Sequence, residues 1–140
     1  MDSVEVYTDG SYKDGIATWA FIVIQDDKIF HSDSGTVTDD TMVSELWNVA
    51  GELEAARQAI KWAVDTNTNI ILISDYQGIQ GWATTWKTNT TWTEAYAKYA
   101  KENKDKISEF RYVRAHSKNS WNDYVDKLAF ERLSLKRKNE

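Results

Sequence analysis

The chain has 140 residues, 41% of them hydrophobic and seven of them Trp, a length and composition that suit one self-sufficient domain over residues 1–140 and exclude intrinsic disorder. With no Cys there is neither a disulfide framework nor a thiolate metal site, and no apolar run approaches the roughly 18 residues needed to span a bilayer, so a soluble, unexported, cytoplasmic domain is expected. The formal charge of −5 conceals two unlike parts: residues 1–56 carry 12 acids and 2 bases, whereas residues 57–140 carry 10 acids and 15 bases, so the second part suits a polyanion and the first suits cations.

Val4 to Thr8 alternates with the period of a half-buried strand and meets a turn signal at Asp9-Gly10-Ser11. Ile16 to Gln25 is rich in Ile, Val, Trp and Phe, and Asp26-Asp27 separates it from a third strand, Lys28 to Ser34. From about Ser44 to Val64 the period changes. Leu46, Val49, Leu53, Ala56, Ile60 and Val64 recur every three or four residues, which predicts one amphipathic helix. Asn69 to Ser74 is a short continuous apolar run, the pattern of a strand buried on both faces and parallel to a neighbour, with Asp75 at its C-terminal end. Residues 76–103 read as helical with an interruption around Thr84–Thr93. Ile107 to Val113 is a fifth strand, and Ser120 to about Lys136 a last helix with Val125, Leu128, Ala129 and Leu133 inward. The predicted order is βββαβααβα, an α/β chain with a mixed sheet and no internal repeat or linker.

In open α/β sheets, ligands gather beyond the carboxyl ends of the strands. Asp9 and Asp75 are both expected there, and the right-handed crossover through the helix makes their strands parallel neighbours. An acid after a strand is also a common turn former, so the pair gains meaning only with further acids. Glu52 borders the buried stripe of the first long helix, whereas Glu54 is rotated about 200° from it and faces solvent. On the last helix Asp126 follows the inward Val125, and Asp123 lies one turn earlier. Spacing does not separate these two, and Asp123 also suits an N-terminal cap. Four carboxylates around two hard divalent cations and a phosphate form the ligand set of two-metal phosphodiester hydrolysis.

The motifs Tyr7-Thr8-Asp9-Gly10-Ser11, Gly51-Glu52-Leu53-Glu54-Ala55-Ala56 and Ser74-Asp75-Tyr76-Gln77 occur in that order. His116 follows, ten residues before Asp126 in Asn122…Asp126-Lys127-Leu128-Ala129. Over almost its whole length the chain resembles type 1 ribonuclease H. The resemblance implies a five-stranded mixed sheet, three antiparallel strands then two parallel additions, flanked by helices. It implies endonucleolytic hydrolysis of the RNA strand of RNA/DNA hybrids with two Mg²⁺ ions, Mn²⁺ substituting, and 3′-hydroxyl and 5′-phosphate products. Asp9, Glu52, Asp75 and Asp126 match the family's metal ligands, and His116 its loop histidine, which assists proton traffic or product departure. Among substrate contacts, Gly10 and Ser11 adjoin the first ligand, and Asn48 and Gln77 match positions that meet the hybrid through its minor groove. Trp82 and Trp86, with Lys87 and Trp92, resemble the region that grips the DNA strand. His31 keeps an ordinary surface reading.

The family's Gly/Asn/Pro-rich loop after the first Asp is here Tyr12-Lys13-Asp14-Gly15. Its basic protrusion is reduced to Lys87 with scattered lysines at 98, 101, 104 and 106, which implies modest substrate affinity. Asn48-Val49-Ala50-Gly51-Glu52 and Asp75-Tyr76 look like the subgroup that often carries a small hybrid-binding module ahead of the nuclease. A monomer is expected, with that module absent or supplied by a partner. Two other readings use the same fold: a catalytically silent nucleic-acid-binding domain, against which all four acids argue, and a transposase-like DNA nuclease, against which His116 and the short chain argue.

Overall fold

The computed structural model describes residues 3–115 and 119–138. The first three strands, β1 (Val4–Lys13), β2 (Ile16–Gln25) and β3 (Lys28–Thr36), form an antiparallel meander. Its two turns, Asp14-Gly15 and Asp26-Asp27, have positive φ at every residue, the backbone that two-residue hairpins need to match strand twist. β1 does not end at the Asp-Gly signal. It runs on to Lys13 because Ser11, Tyr12 and Lys13 pair with Thr18, Ala17 and Ile16 of β2, and this pairing outweighs the local turn preference. Its parallel partner does stop: β4 (Ile70–Ser74) pairs with β1 only from Val4 to Thr8. Asp9 therefore stands just past the parallel ladder while inside the antiparallel one, and Asp75 follows the last residue of β4. β5 (Ile107–Tyr112) lies parallel to β4, giving the strand order β3-β2-β1-β4-β5.

Two helices replace the single one expected after β3. α1 (Asp40–Leu46) is capped by the Asp39 side chain, which accepts from the Met42 N–H at 3.0 Å. The chain then turns at Trp47 and restarts as α2 (Asn48–Thr66). α3 (Gly78–Thr84) and α4 (Thr91–Glu102) flank the expected interruption, and a reciprocal Thr90/Thr93 capping box starts α4. A single 3₁₀ turn, Lys104–Lys106, precedes β5, and α5 (Ser120–Lys138) follows it. The order is thus βββααβααβα.

Apolar residues fill both faces of the sheet. On one, Val6, Phe21, Val23 and Leu72 meet Leu53, Ala56 and Ile60 of α2 and Ile79, Trp82 and Tyr96 of α3 and α4. On the other, Tyr7, Ile22 and Ile73 meet Val125 and Ala129 of α5. Each fully buried aliphatic side chain contributes about 1.5–3 kcal/mol. α5 is also tied to β2 by a buried hydrogen bond from Thr18 Oγ1 to the Ala129 carbonyl at 2.7 Å, which sets which side of the helix faces the sheet's end. No helix among the described residues is long and apolar enough to cross a membrane.

Candidate metal centre

Two glycines bring the first acidic residues together. A Cβ on Gly10 would stand 2.5 Å from the Gly51 carbonyl carbon and 2.6 Å from the Glu52 nitrogen, and one on Gly51 would run into the Thr18 carbonyl oxygen. The first turn of α2 therefore lies directly on the backbone of β1, which carries Glu52 over Asp9. Asp75 joins them from the end of β4, and one carboxylate oxygen from each of Asp9, Glu52 and Asp75 lies within 4.8 Å of the others.

Hydrogen bonds fix half of this oxygen set. The Gly10 N–H donates to Asp9 Oδ1 at 2.8 Å and, more weakly, to Glu52 Oε1 at 3.3 Å. Asp9 Oδ2 and Glu52 Oε2 are buried with no hydrogen-bond partner. Asn122, buried on α5, donates from Nδ2 to Asp75 Oδ2 at 3.4 Å, and its own backbone N–H is capped by Asn119 Oδ1 at 3.0 Å.

Burial, and next the Glu52 charge, hold the Asp9 carboxyl far above the usual carboxylate range. Burial also raises Glu52, the Asp75 and Asp126 charges adding to it while the adjoining Asp9 carboxyl and the Gly10 N–H pull the other way. Such a cluster ionises fully only with positive charge among its oxygens. The donors are all carboxylate oxygens, and two buried ones lack partners. That set fits a hard divalent cation such as Mg²⁺ or Mn²⁺, with Asp9, Glu52 and Asp75 as its holders.

Asp126, exposed on α5, stands close enough to the cluster to help raise both the Asp9 and the Glu52 carboxyls. Asp123 is exposed one turn earlier on the same helix. Glu54 is turned away: it holds Arg57 through two bonds of 2.7 and 2.9 Å and accepts from Gln58 at 3.0 Å. Ser11 is half-buried on β1, Asn48 is the exposed first residue of α2, and Gln77 is exposed at the start of α3. Trp86 is 46% exposed and Lys87 is exposed beside it.

Trp82, expected to touch substrate, packs in the core. It is buried on the inner side of α3, tilted against Tyr76 at 5.8 Å and edge-on to Trp86 at 5.6 Å, so it supports Trp86 from beneath. Trp92 donates its indole N–H to Asp39 Oδ2 at 3.1 Å and ties α4 to the cap of α1. His116 lies outside the described residues. Asn122, part of the last motif, had no role legible in the sequence, because one Asn on an amphipathic helix looks like part of its polar face. Gly51 likewise stood in a motif without a reason for it, although a Gly near a helix start costs about 1 kcal/mol relative to Ala and so signals close packing.

Residues 1–134 match the RNase H family. Among solved structures, RNase H1 from the halophilic archaeon Halobacterium salinarum is 21% identical with a TM-score of 0.71, covering 95% of this chain and 98% of that one. The N-terminal RNase H domain of a Mycobacterium tuberculosis protein, solved as a fusion with maltose-binding protein, is 16% identical with a TM-score of 0.71, covering 98% and 99%. LC11-RNase H1, isolated from compost by a metagenomic approach and solved in complex with an RNA/DNA hybrid, is 12% identical with a TM-score of 0.68, covering 94% and 99%. At these identities the likeness is one of fold. No curated protein matches the chain significantly.

Proposed function

The chain belongs to the RNase H family, and on that premise we propose that it is an endoribonuclease that hydrolyses the RNA strand of RNA/DNA hybrids. In this reading Asp9, Glu52, Asp75 and Asp126 hold two divalent cations, Mg²⁺ with Mn²⁺ as a substitute, and the products carry 3′-hydroxyl and 5′-phosphate ends. The observation that carries it is the cluster of three carboxylates within 4.8 Å, two of whose buried oxygens lack any partner. The hybrid bound to LC11-RNase H1 supports the substrate class.

Bound divalent cations supply a water of lowered pKa and positive charge for the phosphate and the leaving oxygen. The chain's own residues prepare the site. The Gly10 N–H holds one oxygen of Asp9 and one of Glu52, leaving their second oxygens free for coordination. Asn122 steadies Asp75. Asn48 and Gln77, with Gly10 and Ser11, face the minor groove, while Trp86 and Lys87 meet the DNA strand. His116 is assigned proton traffic or product departure. The nuclease domain acts as a cytoplasmic monomer, with a separate hybrid-binding module or partner raising its modest affinity.

Cleavage of labelled RNA/DNA hybrid, duplex DNA and duplex RNA, each with Mg²⁺ and with chelator, tests the reading. Only the RNA strand of the hybrid should be cut, and only with the cation. Comparable cutting of duplex DNA would favour a DNA nuclease, and hybrid binding without cleavage a silent binding domain.

A further inference from the structure

We propose that Trp47 is a nucleic-acid contact, an indole held out from the α1–α2 junction to pack against sugars and base edges of the bound hybrid beside Asn48. The proposal rests on the hybrid-nuclease reading. Its starting point is the backbone. Among the described residues five that are not glycine have positive φ, and four of them are Asp or Asn, which tolerate it. The fifth is Trp47, at φ 52° and ψ −122°, far from the left-handed helical well and in a region that glycine adopts freely and a residue with a Cβ does not.

Packing does not compensate for this strain. Trp47 is 60% exposed. A lone exposed aromatic is ordinary, but one kept on a strained backbone where glycine would serve needs another cause. The junction is fixed on both sides: the Trp47 N–H donates to the Val43 carbonyl at 2.9 Å, closing α1, and its carbonyl accepts from the Ala50 N–H at 3.1 Å, opening α2. α2 is itself pinned to β1 at Gly51. Glu52 follows Trp47 by five residues, about 7.5 Å at the rise of a helix, so the junction and the carboxylate lie at the same end of α2. A ligand lying over the carboxylates can thus reach the indole.

The chemistry favours an apolar contact over a phosphate grip. Asp39, Asp40 and Glu45 precede Trp47 along the chain and would repel phosphates there. A flat ring with one N–H donor suits the wide minor groove of a hybrid, which offers sugar faces, base edges and 2′-hydroxyls.

The test compares the parent protein with Trp47→Gly and Trp47→Phe, measuring thermal melting and the Kd for an RNA/DNA hybrid with Ca²⁺ replacing Mg²⁺ over a range of salt. Trp47→Gly should melt about 2–5 °C higher, because glycine relieves the backbone, yet bind hybrid about tenfold more weakly. The slope of log Kd against log salt should stay unchanged, since no cationic group is lost. Trp47→Phe, which keeps a ring on the same backbone, should bind within about threefold of the parent. Unchanged Kd in Trp47→Gly, as expected of a protein-docking Trp, overturns the proposal, as does a Phe variant as weak as the Gly variant or an altered salt slope. If the parent cuts hybrid and these results appear, only this inference falls; a parent that neither binds nor cuts hybrid removes both.

Discussion

The raised Asp9 and Glu52 carboxyls set a pH dependence of stability whose sign follows from burial. Both carboxyls are raised in the folded protein, mainly by burial, whereas in the unfolded chain they release protons near pH 4. Above that pH the folded state binds more protons than the unfolded one, so their contribution to stability is greatest in acid and is lost as pH rises towards the folded pKa values. Protein kept in chelator should melt at a lower temperature at pH 8 than at pH 5.5. Mg²⁺ should raise melting more at pH 8, where the carboxylates bind it without proton competition. Asp9→Asn should flatten the chelator profile, and a parent profile already flat would refute the assignment. Glu54→Gln removes the charge of a half-buried pair with Arg57 while keeping an oxygen for Gln58, costs about 1 kcal/mol and should leave hybrid cleavage within about twofold. Glu52→Gln should lower cleavage at least about a hundredfold, and parallel assays of the two variants decide between them. Glu52 was legible over Glu54 from helical phase alone. Asp126 was not separable from Asp123, because both flank the same inward stripe of Val125 and Ala129 one turn apart, and the helical period does not say how far along the sheet α5 lies.

The contact between β1 and α2 is the element-scale device on which the centre depends. Gly51→Ala puts a methyl group into the Thr18 carbonyl and forces the helix off the strand. Its urea midpoint should fall by the equivalent of about 1–3 kcal/mol, and cleavage should fall with it because Glu52 moves with the helix. An unchanged midpoint would contradict the packing argument. β2 and β4 were legible as apolar runs buried on both faces, and the body of α2 and α5 by their helical period. α1 was not, since only Met42 and Val43 of its seven residues are buried. The break after it also lacks the Gly or Pro that would announce it. The burial of Trp82 was not legible for a related reason: helical spacing puts an aromatic on a face, and only the packing of α3 against Tyr76 and the core says which face is inside.

Across the whole molecule, the candidate ligands come from β1, α2, the end of β4 and α5, so the centre exists only once every layer has assembled. The acidic first part of the chain supplies Asp9 and Glu52, and the basic second part wraps the other face of the same sheet with α5. A net charge of −5 is compatible with a polyanionic substrate when cations neutralise the centre that meets it. The account stands most directly on hybrid cleavage in Mg²⁺ by Asp75→Asn beside the parent, with melting curves verifying that both are folded. The account predicts efficient cutting of the RNA strand by the parent and a loss of at least about a thousandfold in a variant that remains folded. Cleavage by folded Asp75→Asn at near the parental rate would contradict it.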